Sequence, residues 1–586
     1  MKSILGAIEL RGELGKWRFS SFNEEVEPGL ELIHLKFCAD APMAPPNISL
    51  RWKTPMADMQ SRWHPLCHFD RRIPPDWVPP VVSSLTFSAP VMQLNNIRGE
   101  NRLLFALSEA MRQVRLRAGV REETNEMVCE LELFSVPEAP FASYEAVLRL
   151  DTRRIFYADA VRAAFDWFAS FPDYAPVEPP AAALEPVYSS WYSYHQDLAA
   201  ETLEKECALA CGYGMKGIIV DDGWQTDDNR RGYAFCGDWE VSRKRFPDMR
   251  THVEAVHRLG MKYLLWYSVA FMGMKSCNAE AFRGKYLCTV EDQNTYVLDP
   301  RFPEVREFLI SIYEKALREW DIDGFKFDFI DSFFVTGEDP AVKENYAGRD
   351  LKSVPAAVNR LLSDAMARLN RLKPGILIEF RQRYIGPAIR KYGNMLRAGD
   401  CPADILSNRV STIDLRLTSG STAVHSDMLE WSGDDTAESA ALQLLNVLFA
   451  VPQISVRLEE LPERQRRMLR FWLGFWRTHR EVLMHGYLKP LYQTLNYPVV
   501  SAENPAEKVI AVYSPGLTVP VECVSGQSCC IVNASGAEEL VLELAAAPSA
   551  CEACDVTGQP VHCGLPAAGF SRMRVPVSGL LKLEWR

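Results

Sequence analysis

The sequence predicts an α/β protein with a central (β/α)8 TIM barrel, flanked by an N-terminal antiparallel β domain and a small C-terminal β-sandwich. Three observations predict this fold. Strand-like runs fill the first 170 or so residues, eight strand–helix repeats follow, and short strands with Pro and Gly turns return after about residue 485. With 586 residues the chain is too long for one hydrophobic core, so several domains are expected.

The N-terminal region has the texture of an antiparallel β domain over residues 1–171. Runs such as "LELIHLKF" and "MVCELELFSV" are broken by Pro, Asn and Gly, as strands are by turns. The stretch "YADAVRAAFDWFASF" then has helical spacing. Five prolines, the first Pro172 and the last Pro186, predict a linker over 172–186.

The central region, residues 187–484, alternates short apolar runs with amphipathic helical stretches such as "VREFLISIYEKALREW". This alternation is typical of a (β/α)8 barrel. The eight strand-like runs are "VYSSWYSY", "GIIVDDGW", "KYLLWYS", "GFKFDFI", "GILIEFR", "NMLRAGD", "TAVHSDM" and "PQISVR". Runs such as "KVIAVYS" and "LLKLEWR" predict the C-terminal β-sandwich over 485–586.

The fourth run, "DGFKFDFIDSF", has two different faces. Phe325, Phe327 and Phe329 share one face and can pack against helices, whereas Lys326 and Asp328 share the other. Buried charges are costly unless they are paired or used, so this pair is expected to point into the barrel mouth.

Polar or aromatic residues close most of the other strands, at the end where barrel chemistry lies. Each of these residues taken alone could have a structural role, in an ion pair, a helix cap, a turn or the core. Because so many strands end this way, we favour a shared functional site. These residues are Asp221, Asp222, Trp266, Arg381, Asp400, His425 and Asp427.

Two carboxyl groups of this set suit retaining glycoside hydrolysis, in which they lie about 5 Å apart. Lys326 should keep Asp328 ionised as the nucleophile. Asp400, expected in less positive surroundings with a higher pKa, is the predicted acid/base. Asp221 and Asp222 can accept hydrogen bonds from sugar hydroxyls. Tryptophans can cover the apolar face of the ring, namely Trp224, Trp266 and Trp239.

Composition and charge exclude several partners. The net charge of −11 argues against nucleic acid, and no apolar run is long enough for a membrane span. Charges at Glu9, Arg11 and Glu13 interrupt any signal sequence, which predicts a cytoplasmic protein. The fifteen scattered cysteines fit reduced thiols, although Cys551 and Cys554 have metal or redox spacing.

No metal or cofactor is expected. His64 and His68 lack further ligands at suitable spacing, and His425 and Asp427 are interpreted as a hydrogen-bonded pair that supports the site. A metal-dependent hydrolase using Asp221, His425 and Asp427 remains an alternative.

The motifs "IIVDDGWQ", "GDWEV", "RFPDM", "GMKYLLW", "VLDPRFPEV" and "DGFKFDF" occur in the order and spacing of glycoside hydrolase family 36, and the chain resembles that α-galactosidase family. The resemblance implies that Asp328 is the nucleophile and Asp400 the acid/base, with Asp404 as a competitor. It also implies three groups of sugar contacts. Asp221 and Asp222 would bind the 4- and 6-hydroxyls, Lys326 the 3- and 4-hydroxyls, and Trp266 the ring.

One segment departs from the family pattern. Where family members have a Cys-Ser-Gly-Gly-like stretch near the sugar 2-hydroxyl, this chain reads "EFRQRYIGP". Arg381 and Arg383 would fill that space with positive charge, which predicts an altered glycone pocket around the 2-position. The alternative is that the arginines turn away and pair with Glu379 or Asp427.

The sequence therefore predicts a retaining α-glycosidase of the α-galactosidase type that acts on an oligosaccharide or other glycoside. The alternatives are an α-N-acetylgalactosaminidase or galactosaminidase, another α-glycosidase, an α-galactosyl transglycosylase, and a non-catalytic sugar-binding protein. The resemblance further implies a homo-oligomer, from dimer to tetramer, in which an N-terminal loop carrying Trp63 reaches a neighbouring active site.

Overall fold

The computed structural model describes residues 1–228, 230–335, 337–381 and 383–585. Its centre is a closed barrel of eight parallel strands, one for each of the eight predicted runs, so the barrel prediction is confirmed. In chain order the strands are β1 (Val187–Ser189), β2 (Gly217–Val220), β3 (Lys262–Ser268), β4 (Gly324–Asp328), β5 (Leu377–Arg381), β6 (Met395–Arg397), β7 (Ala423–Leu429) and β8 (Val451–Ile454).

The helices include those predicted from the amphipathic stretches. Most of the longer helices after α1 alternate with the barrel strands, as expected for parallel strands joined by helical crossovers. In chain order the helices are α1 (Tyr157–Ala169), α2 (Trp191–Tyr194), α3 (Ala200–Gly212), α4 (Met249–Arg258), α5 (Pro303–Trp320), α6 (Pro340–Lys343), α7 (Val354–Leu372), α8 (Ile405–Thr418), α9 (Ala437–Asn446), α10 (Glu463–Thr478) and α11 (Arg480–His485).

Strand β4 presents the two faces that its sequence predicts. The rings of Phe325 and Phe327 stack with centroids 5.1 Å apart, and Tyr313 of α5 lies 4.7 Å from Phe327. Phe329 differs from the prediction. Its φ of 60° takes the chain out of the strand, and its ring packs against Phe271 at 4.6 Å instead of a helix.

The N-terminal region is all β before α1. It contains a six-stranded and a five-stranded sheet, with a core between them that includes Trp52 packed edge-on to Phe105. The six-stranded sheet comprises Arg18–Glu27, Leu30–Met43, Phe141–Asp151, Asn101–Leu107, Val91–Asn95 and Ser61–Trp63, and the five-stranded sheet Glu9–Arg11, Ile48–Pro55, Glu126–Leu133, Val114–Arg121 and Val81–Ser83. Lys2–Ser3 and Gly6–Ala7 form a separate hairpin.

The C-terminal region is a strand-rich unit of two sheets over a common apolar core. The larger sheet comprises Tyr487–Leu491, Val499–Glu503, Glu507–Val512, Ser528–Asn533, Leu580–Glu584, Ala550–Cys554 and Pro560–Val561, and the smaller one Thr518–Val521, Glu539–Leu544 and Gly569–Arg574. A further three-stranded sheet follows β3 and comprises Phe271–Gly273, Tyr286–Val290 and Thr295–Leu298.

The proline-rich stretch 172–186 is packed against the barrel. Its short helical turns are Pro172–Tyr174 and Ala181–Leu184. Ala183 is fully buried among residues at the amino ends of the barrel strands, and its carbonyl lies 2.7 Å from His425 Nε2. This segment therefore closes the floor of the barrel.

A buried polar junction joins the three parts of the chain. Asp414 of α8 accepts hydrogen bonds from the Trp63 indole at 3.0 Å, from Arg71 at 3.0 Å and from the Tyr497 hydroxyl at 2.6 Å. Trp63 is fully buried in this junction, so the expectation that it contributes to a neighbouring active site is wrong.

The C-E-A-C spacing does not bring its two thiols together. Cys551 and Cys554 are three residues apart on one strand and so point to opposite faces, and Cys551 Sγ instead lies 3.2 Å from Cys563 Sγ. Within the described residues, no cluster of three or more His, Cys, Asp or Glu side chains is arranged for a metal ion. No helix in the same part of the chain has the length and apolarity to cross a bilayer.

Candidate active site

The carboxyl ends of the barrel strands gather the candidate residues at one mouth. Asp221 and Asp222 follow β2, Trp266 lies in β3, and Asp328 ends β4. Arg381 ends β5, and Asp400 lies three residues beyond the end of β6. Residues from five strands thus meet where a parallel barrel places its chemistry.

Asp328 is held by four donors at the bottom of this mouth. Oδ2 accepts a hydrogen bond from the Trp266 indole at 3.0 Å. Oδ1 accepts from the Tyr384 hydroxyl at 3.0 Å and from the Phe329 N–H at 2.8 Å. Arg381 Nε also donates to Oδ1. The side chain is only 7% exposed, so its position is fixed by its partners.

Two neighbouring cations, one of them the donor Arg381, keep Asp328 ionised. Burial alone would raise the pKa of this carboxyl, but Arg381 and Lys326 outweigh burial and lower the pKa below its ordinary value. Lys326 acts in the predicted direction, although Arg381 is the stronger influence. An ionised, immobilised carboxylate is suited to nucleophilic attack.

Asp400 lies nearer the opening, with 45% of its side chain exposed. Arg397 Nη2 donates to Oδ1 at 2.8 Å, and Arg381 Nη1 lies 3.4 Å from Oδ2. Burial would raise the pKa of Asp400, yet the two guanidinium groups hold the pKa well below its usual range. The expectation of less positive surroundings and a higher pKa is therefore wrong.

Arg381 links the two carboxyl groups. Its Nε contacts Asp328 and its Nη1 approaches Asp400, so both carboxyl groups border one guanidinium. The alternative in which Arg381 pairs with Glu379 or Asp427 does not occur. Arg397 takes that role, with an ion pair to Asp427 and 3.7 Å to Glu379.

Asp221 and Asp222 are buried at the same barrel mouth, directly after β2. Asp221 forms an ion pair with Lys326. Asp222 accepts hydrogen bonds from Gln196 and Gln225, both at 2.6 Å. Burial raises the pKa of Asp222 to about 6, which its two amide donors oppose. The two adjacent carboxyl groups thus have different partners, a lysine for Asp221 and two amides for Asp222.

Three residues that the sequence predicted for the site have structural roles instead. Trp224 is fully buried, donates its indole N–H to the Trp266 carbonyl at 2.9 Å, and packs on Trp239 and Trp320. It is a core residue, and Trp239 is part of the same cluster. Asp404 caps α8, where it accepts from the N–H groups of Leu406 and Ser407.

His425 and Asp427 do not form the expected pair. His425 faces the barrel floor, and Gln453 lies 3.3 Å from its other ring nitrogen. Asp427 instead faces the mouth and is bonded to Arg397, to the Tyr192 hydroxyl at 2.8 Å and to the Cys401 N–H at 2.6 Å.

Sequence reasoning missed several residues of the site. Arg397 falls inside the run "NMLRAGD", where a buried arginine was itself a signal, because a buried charge requires a partner. Tyr384 and Gln196 lie in loops, and Tyr192 lies in the short helix α2 that follows β1. Their distances to the carboxylates depend on the paths of these connections.

Comparison with known proteins finds similarity over part of the barrel. Residues 182–377, which include β1 to β4 and the start of β5, match the family model described as Melibiase. The chain is 29% identical over 150 residues to α-galactosidase Mel36A of Lactobacillus acidophilus, covering 24% of this chain and 20% of that protein. It is 24% identical over 177 residues to the A type blood α-D-galactosamine galactosaminidase of Flavonifractor plautii, covering 27% and 15%.

The whole fold also has solved counterparts. A variant of the family 36 α-galactosidase AgaA from Geobacillus stearothermophilus, solved with raffinose, superimposes with a TM-score of 0.63 at 14% identity. The superposition covers 99% of this chain and 88% of that one. By contrast, this chain spans only about a fifth or less of the length of the two curated relatives.

Proposed function

We propose, on the premise that its barrel belongs to the Melibiase family, that this protein is a retaining α-glycosidase of the α-galactosidase type. The observation that carries the proposal is the meeting of Asp328 and Asp400 at the Arg381 guanidinium in the barrel mouth, with Asp328 buried and ionised and Asp400 more exposed. This arrangement suits a sugar ring that enters first and a leaving group that stays outside.

In the proposed mechanism Asp328 attacks the anomeric carbon. A new carbon–oxygen ester bond forms as the glycosidic bond breaks, and the leaving oxygen takes a proton from Asp400. Asp400 then removes a proton from water, which attacks the same carbon and releases Asp328. Asp221, Asp222 and Lys326 are proposed to hold the sugar hydroxyls.

Asp400 must gain a proton before it can act as an acid. In the free protein Arg397 and Arg381 oppose this, because both stabilise the carboxylate. Arg381 is the more weakly engaged of the two, at 3.4 Å against 2.8 Å. We therefore expect the bound sugar to displace Arg381 from Asp400, so that protonation becomes favourable as the substrate enters.

The direct test is a panel of aryl α-glycosides: galactoside, N-acetylgalactosaminide, galactosaminide, glucoside and a negatively charged variant. We expect the galactoside to be hydrolysed with initial release of α-galactose, as observed by NMR of fresh product. Initial release of β-galactose, or preference for another glycone, contradicts the proposal. Transfer to added sugar acceptors measures the transglycosylase alternative.

Replacing Arg381 with methionine should move the pH profile of kcat/KM to higher pH. Arg381 lowers the pKa values of both Asp328 and Asp400, so its loss raises both. The acidic limb, where the nucleophile must ionise, and the alkaline limb, where the acid must stay protonated, should both shift upward. The Arg381→Lys variant keeps the charge and should shift less. Unmoved limbs in the methionine variant would contradict this role.

Sugar affinity should fall as the pH drops through about 6, because Asp222 loses its charge in that range. The raised pKa means that the acceptor form is lost at a higher pH than for an ordinary aspartate. One pH unit below the pKa, the dissociation constant for galactose should be about 10-fold higher if only the ionised form of Asp222 binds. Calorimetry across this range measures it. The Asp222→Asn variant should bind weakly at every pH, and a flat wild-type profile would refute the assignment.

We further propose a cytoplasmic location and a homo-oligomeric assembly. Fifteen cysteines, all free where the structure describes them, suit a reducing compartment. The dimer-to-tetramer assembly is supported only by the resemblance, and the buried Trp63 is not a candidate for a contact between subunits.

A further inference from the structure

A cavity of about 300 Å³ opens beside Asp400, and neither Trp266 nor Lys326 is among the described residues that line it. Its volume suits a single ring better than a chain of sugars. Most of its lining is apolar. The lining residues that matter here are Pro65, Leu66, Ile385, Leu415, His68 and Arg383.

The walls of this cavity are fixed by contacts between the N-terminal β domain and the barrel. The loop that carries Leu66 and His68 is anchored by Arg71, which bonds to Asp414 of α8. The loop that carries Arg383 is also held by the N-terminal β domain, because the Arg383 carbonyl oxygen accepts a hydrogen bond from the Ser88 N–H. At Gly386 an added Cβ would lie 2.5 Å from the Ser88 carbonyl oxygen, so the close approach requires glycine.

Arg383 supplies a cation that this cavity does not neutralise. Among the described residues its exposed guanidinium has no hydrogen-bond or ion-pair partner. The carboxylates that line the same cavity are already engaged, Asp400 by Arg397 and Asp414 by Arg71. Asp331 lies within electrostatic range, but burial raises the pKa of its carboxyl, which weakens it as a competitor.

We infer that this cavity is the leaving-group subsite, and that it selects α-glycosides whose aglycone combines an apolar ring with an anionic group that binds Arg383. The inference rests on the proposed function, in which Asp400 protonates the leaving oxygen and so must border the aglycone. The apolar wall receives the ring, and the free guanidinium receives a carboxylate, which it can bind with two parallel hydrogen bonds. Arg383 therefore acts outside the glycone pocket, unlike Arg381.

The test compares 3-carboxyphenyl with 3-carbamoylphenyl α-galactoside, which share a shape but differ in charge. We expect Arg383→Gln to lower the ratio of their kcat/KM values about 10-fold relative to wild type. Differences in leaving-group reactivity cancel in this comparison, because wild type and variant are measured with the same two substrates. Arg572→Gln removes an exposed arginine from the C-terminal β unit and should keep the wild-type ratio. An unchanged ratio in Arg383→Gln overturns the inference and leaves the proposed glycosidase intact.

Binding provides a readout that does not depend on turnover. In an Asp328→Asn background, calorimetry should show tighter binding of the carboxyphenyl galactoside, and this preference should disappear when Arg383→Gln is added. If wild type hydrolyses neither compound while the binding preference is present, the subsite stands and the proposed activity fails. Equal affinities, or no binding of either compound, overturn the subsite.

Discussion

Asp328→Ala should abolish turnover of aryl α-galactosides, with kcat/KM falling about 10⁴-fold or more. The carboxylate that forms the covalent intermediate is removed, and no neighbouring group can replace it. Asp221 is engaged by Lys326, and Asp400 is proposed to act on the leaving-group side. Steady-state kinetics with a p-nitrophenyl galactoside measures the loss.

A structural role for Asp328 would also lower activity, so the experiment needs a second readout. Added azide should restore turnover of the alanine variant and give a β-galactosyl azide, because a small anion then attacks from the vacated side. Arg381 loses its partner in this variant, so thermal unfolding must be compared with wild type. Full activity of a folded Asp328→Ala protein, or rescue that yields the α-azide, would falsify the nucleophile assignment.

Asp400→Ala should reduce activity about 10²- to 10⁴-fold on substrates with poor leaving groups, and much less on those with good ones. A methyl or sugar leaving group needs a proton as the bond breaks, whereas 2,4-dinitrophenolate departs unaided. The slope of log kcat/KM against leaving-group pKa should therefore become steeper in the variant. The electrostatic environment of Asp400 makes this test important, since its arginine partners favour the ionised form.

Asp404→Asn is the matched control for Asp400. Asp404 lies four residues away and was a competitor for the same role, but its side chain caps α8. Asparagine is also a good N-cap, so stability should change by less than about 1 kcal/mol and the leaving-group slope should stay that of wild type. If the slope steepened in Asp404→Asn and not in Asp400→Ala, the acid/base role would belong to Asp404.

The local sequence pattern was sufficient to predict the barrel and the side chains of β4 that point into its mouth. The alternation of apolar runs with amphipathic stretches predicted all eight barrel strands, because strand and helix periodicity are properties of neighbouring residues. The parity of β4 likewise predicted that Lys326 and Asp328 turn inward while Phe325 and Phe327 pack against helix α5.

The partner of each charged side chain was decided by the tertiary structure alone. The sequence pattern placed Asp400 just after a strand end. Its low pKa comes from Arg397 at the end of β6 and from Arg381 at the end of the neighbouring strand β5. Likewise, Trp224 is two residues from Asp222 in sequence, yet it lies in the core because the loop after β2 turns its ring inward.

The sequence by itself determined which residues stand at the mouth of the barrel, because strand ends follow from short-range periodicity. Only the tertiary structure decided which of them touch, since contacts across the barrel depend on the relative register of strands far apart in the chain and on the paths of the loops. Electrostatic interactions depend steeply on those distances. The low pKa of Asp400 and the lack of an ion-pair partner for Arg383 among the described residues could therefore be read only from the folded chain.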